Sequence, residues 1–268
     1  MPEGSTPPRR SRGAIPVRTI SRLLGLPLED EPVLRSGLRA AIARERGSDR
    51  LPETARLAAE SLRTYFADHV QRRRRDGGDD LLADVVASER SGALTADEIP
   101  GLCLLLYIAG TETVADFIGN ALVALAEHPE QRALLAAEPE RSAAAVEELL
   151  RFESPVQYQV RTATAETELH GVAIPAGSAV ALLWGAANRD ERRWERPDEL
   201  DLTREARRHL AFGEGIHHCL GAPLARLQGR VVLEETLRAM PGYRLAGEPE
   251  RITTHNTRGV ARLPILPA

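Results

Sequence analysis

Apolar residues recur along most of this chain at spacings of three and four, the period of a helix with one buried face. Val17 to Gly25 reads as a short helix ended by Gly25 and Pro27. From near Pro52, Leu57, Leu62, Phe66 and Val70 form a second helical stripe. Thr95 and Glu98 are spaced as a capping box, and the apolar segment behind them predicts a long central helix to about Glu127. Pro129 starts another helix, and Ser142 to Phe152 gives a further one. Between Val156 and Trp184 the period shortens to that of strands, with Gly171 and Pro175-Ala176-Gly177 marking turns. Leu220 to Met240 is helical again, and the C-terminus reads as extended. The pattern predicts a mainly α protein with small β-sheets, without internal repeats.

Composition narrows this picture. A chain of 268 residues can bury a sizeable core as a single domain. All 35 basic residues are arginine, and the net charge of −4 carries no basic excess for nucleic acid. Arg72 to Arg75 form a basic run, but it meets Asp76 and Asp79 and reads as a solvated face. The two cysteines, Cys103 and Cys219, imply no disulfide framework and suit a reducing compartment. Cys103 lies in the apolar central helix and is expected in the core. Residues Met1 to Gly13 are rich in Pro, Ser, Gly and Arg, lack a signal segment's apolar centre, and are expected to be disordered. The longest apolar stretch, around Leu102 to Ala109, falls short of a bilayer span. No membrane association and a cytoplasmic location are the expectations.

Cys219 stands in the run Phe212-Gly213-Glu214-Gly215-Ile216-His217-His218-Cys219-Leu220-Gly221-Ala222-Pro223-Leu224-Ala225-Arg226. Glycines let a backbone bend sharply and approach a bound group, and Pro223 is well placed for a first helical turn. A thiolate there would face the positive end of a helix dipole. With no second cysteine nearby, it suits a metal whose other ligands come from a macrocycle, namely haem iron. Two alternatives stand beside this reading. One is a buried structural cysteine in a tight turn. The other is zinc held by His209, His217, His218 and Cys219, although zinc sites usually show paired ligand clusters.

The run resembles the cysteine-ligand loop of the cytochrome P-450 family of haem-thiolate monooxygenases at Phe212, Gly213, Gly215, His217, Cys219, Gly221, Leu224, Ala225 and Arg226. Two further segments carry the same resemblance. Ile108-Ala109-Gly110-Thr111-Glu112-Thr113 matches the family's central helix over the distal face of the haem. Thr113 lies one turn after Ala109, so its hydroxyl can reach that carbonyl and open the helix locally. The resemblance gives Glu112 and Thr113 the handling of protons during oxygen activation. Glu147-Glu148-Leu149-Leu150-Arg151 puts Glu148 and Arg151 on one helix face, an ordinary surface pair when read alone. In the family this pair is buried, and Arg204 stands where a second arginine completes the cluster. These three residues are therefore expected to be structural.

By the same resemblance Arg161 and His217 pair with the haem propionates, and residues near Gln157 and Tyr158 line the substrate pocket. The implied fold is that of cytochrome P-450, with residues 14–268 forming a C-terminal haem-binding core. The likeness covers the chain from roughly Ile15 onward, and a complete member carries a long additional N-terminal part. The expectation is an N-terminally truncated frame. The implied cofactor is haem b, and the implied reaction inserts one oxygen atom from O2 into a small apolar substrate. No nicotinamide or flavin fingerprint is present, so a separate ferredoxin or flavodoxin-type donor is implied, with Arg226 and Arg230 as docking candidates. The contrasting hypothesis is a non-catalytic remnant or an accessory haem-binding protein.

Overall fold

The computed structural model describes residues 13–44 and 50–267. Apart from Gly13, the segment expected to be disordered lies outside the described residues. The chain divides into two compact units, residues 1–115 and 116–268, each with its own core.

The first unit contains helices α1 (Ala14–Leu23), α2 (Glu31–Ile42), α3 (Glu53–Asp76) and α4 (Leu81–Ala87). It also holds the first part of α5 (Glu98–Glu127). Leu24, Leu34, Leu38, Phe66, Leu82, Cys103 and Tyr107 fill its core. Cys103 is fully buried, and burial pushes its thiol up to about 11, which leaves it an inert apolar side chain. The helix α4 begins where Asp80 accepts the Ala83 N–H at 2.9 Å, a side-chain cap. Ahead of α5, Thr95 donates its N–H and its hydroxyl to Glu98 Oε2, both at 2.8 Å. The Glu98 N–H goes to the Thr95 carbonyl, so half of the expected capping box forms.

Within the arginine run at the end of α3, Arg72 and Arg75 are exposed as expected, but Arg73 and Arg74 are partly buried. Arg73 donates to Asp80 and to the Gly25 carbonyl, and Arg74 pairs with Glu89 at 3.0 Å. Both side chains are about three-quarters covered or more, at 20% and 24% exposure. They tie the end of α3 to neighbouring segments.

The second unit contains the rest of α5, then α6 (Pro129–Ala137) and α7 (Ser142–Phe152). Strands β1 (Gln159–Thr162), β2 (Thr167–Leu169), β3 (Val172–Ile174) and β4 (Ala179–Leu182) follow. Next come α8 (Trp184–Ala187) and α9 (Ala222–Ala239). The short strands β5 (Arg244–Leu245), β6 (Glu250–Arg251), β7 (Val260–Arg262) and β8 (Ile265–Leu266) close the chain. All pairings are antiparallel and two-stranded: β1 with β4, β2 with β3, β5 with β8 and β6 with β7. The β2–β3 hairpin turns through His170 and Gly171, both at positive φ, as a two-residue primed turn requires.

Every residue of α7 from Ala145 to Arg151 is buried, and Val232, Leu233 and Leu237 put one face of α9 into the core. The helix α5 is longer in its apolar character than the stretch from Leu102 to Ala109. Among the described helices it alone has the length and composition to cross a bilayer. Its buried positions are those of a core helix: Ile99, Cys103 and Tyr107 in the first unit, Phe117, Ala121 and Leu125 in the second.

Candidate functional site

The cysteine loop is built by a ladder of local bonds. Asn188, fully buried, accepts the Leu210 N–H at 2.6 Å and fixes the loop's entry. Gly213 donates to the Leu210 carbonyl, His218 to Gly215, and the Cys219 N–H to the Phe212 carbonyl at 2.9 Å. Gly213 and Gly215 adopt φ of 69° and 68°, the left-handed region that side chains with a Cβ resist. Gly221 has φ −83°, an ordinary conformation, so the backbone does not demand glycine there. The helix α9 then begins at Ala222, with Pro223 in its first turn.

This ladder leaves the Cys219 thiol exposed. Beside it, Ile216 is 98% and Leu220 85% exposed, which is costly for large apolar side chains in water. Among the described residues no group of three or more His, Cys, Asp and Glu could hold a metal, so the zinc alternative fails. The buried-cysteine alternative fails on exposure. A lone outward thiol flanked by outward apolar side chains fits an iron held otherwise by a flat apolar macrocycle.

Behind the loop lies the Glu148–Arg151–Arg204 cluster. Glu148 and Arg151 are both fully buried. Arg151 donates to Glu148 Oε2 at 2.7 Å and Oε1 at 2.8 Å, and to the carbonyls of Asn188, Pro197 and Glu199. All five guanidinium N–H groups are thereby matched. Arg204 donates to Glu148 Oε1 at 3.2 Å and to the carbonyls of Glu195 and Arg196. The Asp201 N–H adds a further bond to Glu148 Oε1. These bonds fasten α7 to the irregular segment that leads into the cysteine loop.

A second buried carboxylate, Glu147, was not singled out by its sequence. Arg226 donates to it twice, at 2.7 and 3.0 Å, and His209 Nε2 lies 3.3 Å away without good hydrogen-bond alignment. Burial would raise this carboxyl, but His209 and Arg226 outweigh it and bring it down to about 2. Arg226 also stacks over the Phe212 ring at 4.5 Å. Its guanidinium is thus paired, with the side chain still 37% exposed. Arg230 stays half-exposed, 3.8 Å from Glu234.

Arg161 sits on β1, where its guanidinium donates to Gln159 and to the Val160 carbonyl, and His217 is exposed in the turn before the cysteine. Gln157 folds back to donate to the Ser154 carbonyl, and Tyr158 reaches the His255 carbonyl at 3.3 Å. In the first unit, Thr113 Oγ1 donates to the Ala109 carbonyl at 2.7 Å. The bond forms without opening the helix, because α5 runs unbroken from Glu98 to Glu127. Glu112 is partly buried one residue before. Gly110 has a packing reason of its own: a Cβ there would stand 3.0 Å from Ile20 Cδ1 of α1.

An outward thiol on a glycine-bent loop, braced by a buried Glu–Arg–Arg cluster within a mainly α frame, fits the haem-thiolate class of protein. Residues 48–142 and 142–241 match the sequence profile of the family described as Cytochrome P450. Vitamin D(3) 25-hydroxylase of Pseudonocardia autotrophica is 40% identical over 257 residues, covering 94% of this chain and 62% of that protein. The crystal structure of Mycobacterium smegmatis CYP164A2 with econazole bound superposes at a TM-score of 0.87 with 41% identity, covering 95% of this chain and 66% of that one. P450BioI in complex with a hexadec-9Z-enoic acid ligated acyl carrier protein gives 0.86 and 34%, covering 94% and 65%. The chain belongs to the cytochrome P450 family, whose members bind haem b. It spans about three-fifths of the length of the curated relatives it matches.

Proposed function

We propose that this chain carries the thiolate-ligating part of a haem monooxygenase that inserts one oxygen atom from O2 into a small apolar substrate. The observation that carries this reading is the exposed Cys219 on its left-handed glycine loop, backed by the buried Glu148–Arg151–Arg204 cluster. Bound haem supplies the oxygen activation that no side chain here can perform. Cys219 provides the sulfur ligand, with its N–H held by the Phe212 carbonyl. Gly213 supplies the left-handed backbone that the bend before Cys219 requires. Arg161 and His217 are the propionate partners, and both have donor capacity that local contacts leave largely uncommitted.

Thr113 and Glu112 form the proton-handling pair. The Thr113 hydroxyl gives its hydrogen to Ala109 O, so Oγ1 remains an acceptor for a water or a substrate oxygen. The Glu112 carboxyl takes up and returns the proton. The substrate class follows the relatives, among them the vitamin D(3) hydroxylase and the econazole-binding CYP164A2. Electrons come from a separate ferredoxin or flavodoxin-type protein in the cytoplasm. Its acidic surface would meet the open groove of about 540 Å3 edged by Arg207 and Arg230.

Titrating haem into the purified chain and into Cys219→Ala tests the proposal. The wild-type chain should saturate at one haem per chain, with a thiolate-type absorption band that the variant lacks. Identical titrations for the two proteins would remove Cys219 as the ligand.

A further inference from the structure

We infer that Glu147 is a positioning residue for the cysteine loop, acting on Phe212 through Arg226, with His209 packed against the same ring. Its purpose rests on the haem-thiolate reading of that loop, whereas its geometry stands without it. The helix α7 presents two adjacent buried carboxylates that serve different partners. Glu148 takes Arg151 and Arg204, as described. Glu147 takes Arg226, 79 residues further along the chain, with both oxygens engaged at 2.7 and 3.0 Å.

The same guanidinium lies over the Phe212 ring, 4.5 Å from its centre. His209 packs against that ring as well, with centroids 5.6 Å apart. Its Nδ1 accepts the Ala211 N–H at 3.1 Å, so the ring proton sits on Nε2, on the side facing Glu147 Oε2. Glu147 therefore holds Arg226 by two hydrogen bonds and lies 3.3 Å from His209, and both of these groups contact Phe212. The Phe212 carbonyl in turn receives the Cys219 N–H.

An exposed ion pair would contribute little to this arrangement. The Glu147 side chain is only 9% exposed, and a two-pronged guanidinium fixes direction as well as distance. Without Glu147, the Arg226 side chain can swing into the open groove that it lines, leaving one face of Phe212 uncovered. The slack then reaches the Cys219 amide through a single hydrogen bond.

The experiment is hydrogen exchange, read by mass spectrometry, on the full chain with and without haem, for Glu147→Gln, Arg226→Lys and the double variant. Lysine keeps the charge but loses the fork and the stacking plane. In both single variants the amides from Phe212 to Leu220 should exchange about ten-fold faster. The double variant should be no faster than either single one, and α5 and the Glu148–Arg151 segment should stay unchanged. In the haem-loaded protein the reduced, carbon-monoxide-bound spectrum should lose part of its red-shifted band in the same variants. Wild-type loop exchange in Glu147→Gln, or effects that add in the double variant, would overturn the inference. Should Glu147→Gln not fold, Arg226→Lys carries the same test from a less buried position. If the wild-type chain lacks the red-shifted band, the haem reading fails while the exchange result still decides the role of Glu147.

Discussion

Arg151 is the residue on which the site's rigidity depends. Its five donors meet five acceptors, and two of them go to a carboxylate that is itself fully buried. Glu148→Ala would strand that guanidinium in the interior and leave Arg204 without its Glu148 partner. The expected cost is about 3–5 kcal/mol, seen as a matching loss in the free energy of denaturant unfolding. A loss below 1 kcal/mol would mean that the pair behaves as a surface bridge. The three-residue spacing of Glu148 and Arg151 was legible from the sequence, but its burial was not. Arg204 was found through resemblance alone, because no local pattern links residues 53 or more positions apart. Glu147 was passed over for a similar reason: beside Glu148 it reads as one more surface acid, and both its partners come from distant segments.

At the scale of elements, the helices easiest to read were those with strong punctuation. Pro129 opens α6, and α7 fills the expected range from Ser142 to Phe152. Pro223 stands in the first turn of α9. The helices α2 and α4 were missed. Leu34 and Leu38 are the only fully buried apolar residues of α2, too few for a clear stripe, and Gly37 interrupts them. The helix α4 has only seven residues, and its Asp80 cap stands among the acids that follow the arginine run. Within α5, Gly110 owes its place at least partly to the approach of α1 at Ile20. Gly110→Val should therefore destabilise by about 1–3 kcal/mol through overpacking, and adding Ile20→Ala should restore part of it. Thermal unfolding of the single and double variants checks this, and a Val variant as stable as the wild type would leave the glycine without a packing role.

For the molecule as a whole, the sequence carried the fold class and the loop chemistry further than the arrangement that supports them. The sharp bends at Gly213 and Gly215 beside Cys219 were legible, because glycines set around a cysteine mark a loop that turns tightly. The hydrogen-bonded path from α7 through the irregular segment into the loop was not, since backbone carbonyls such as those of Asn188, Pro197 and Glu199 leave no mark in a sequence. The central claim is that this path holds Cys219 outward as a thiolate ligand for haem iron. Its most direct test is the absorption spectrum of the purified chain, supplied with haem, reduced and exposed to carbon monoxide. A strongly red-shifted Soret band is the predicted result. A band typical of a thiol or histidine ligand, or no bound haem, would contradict it.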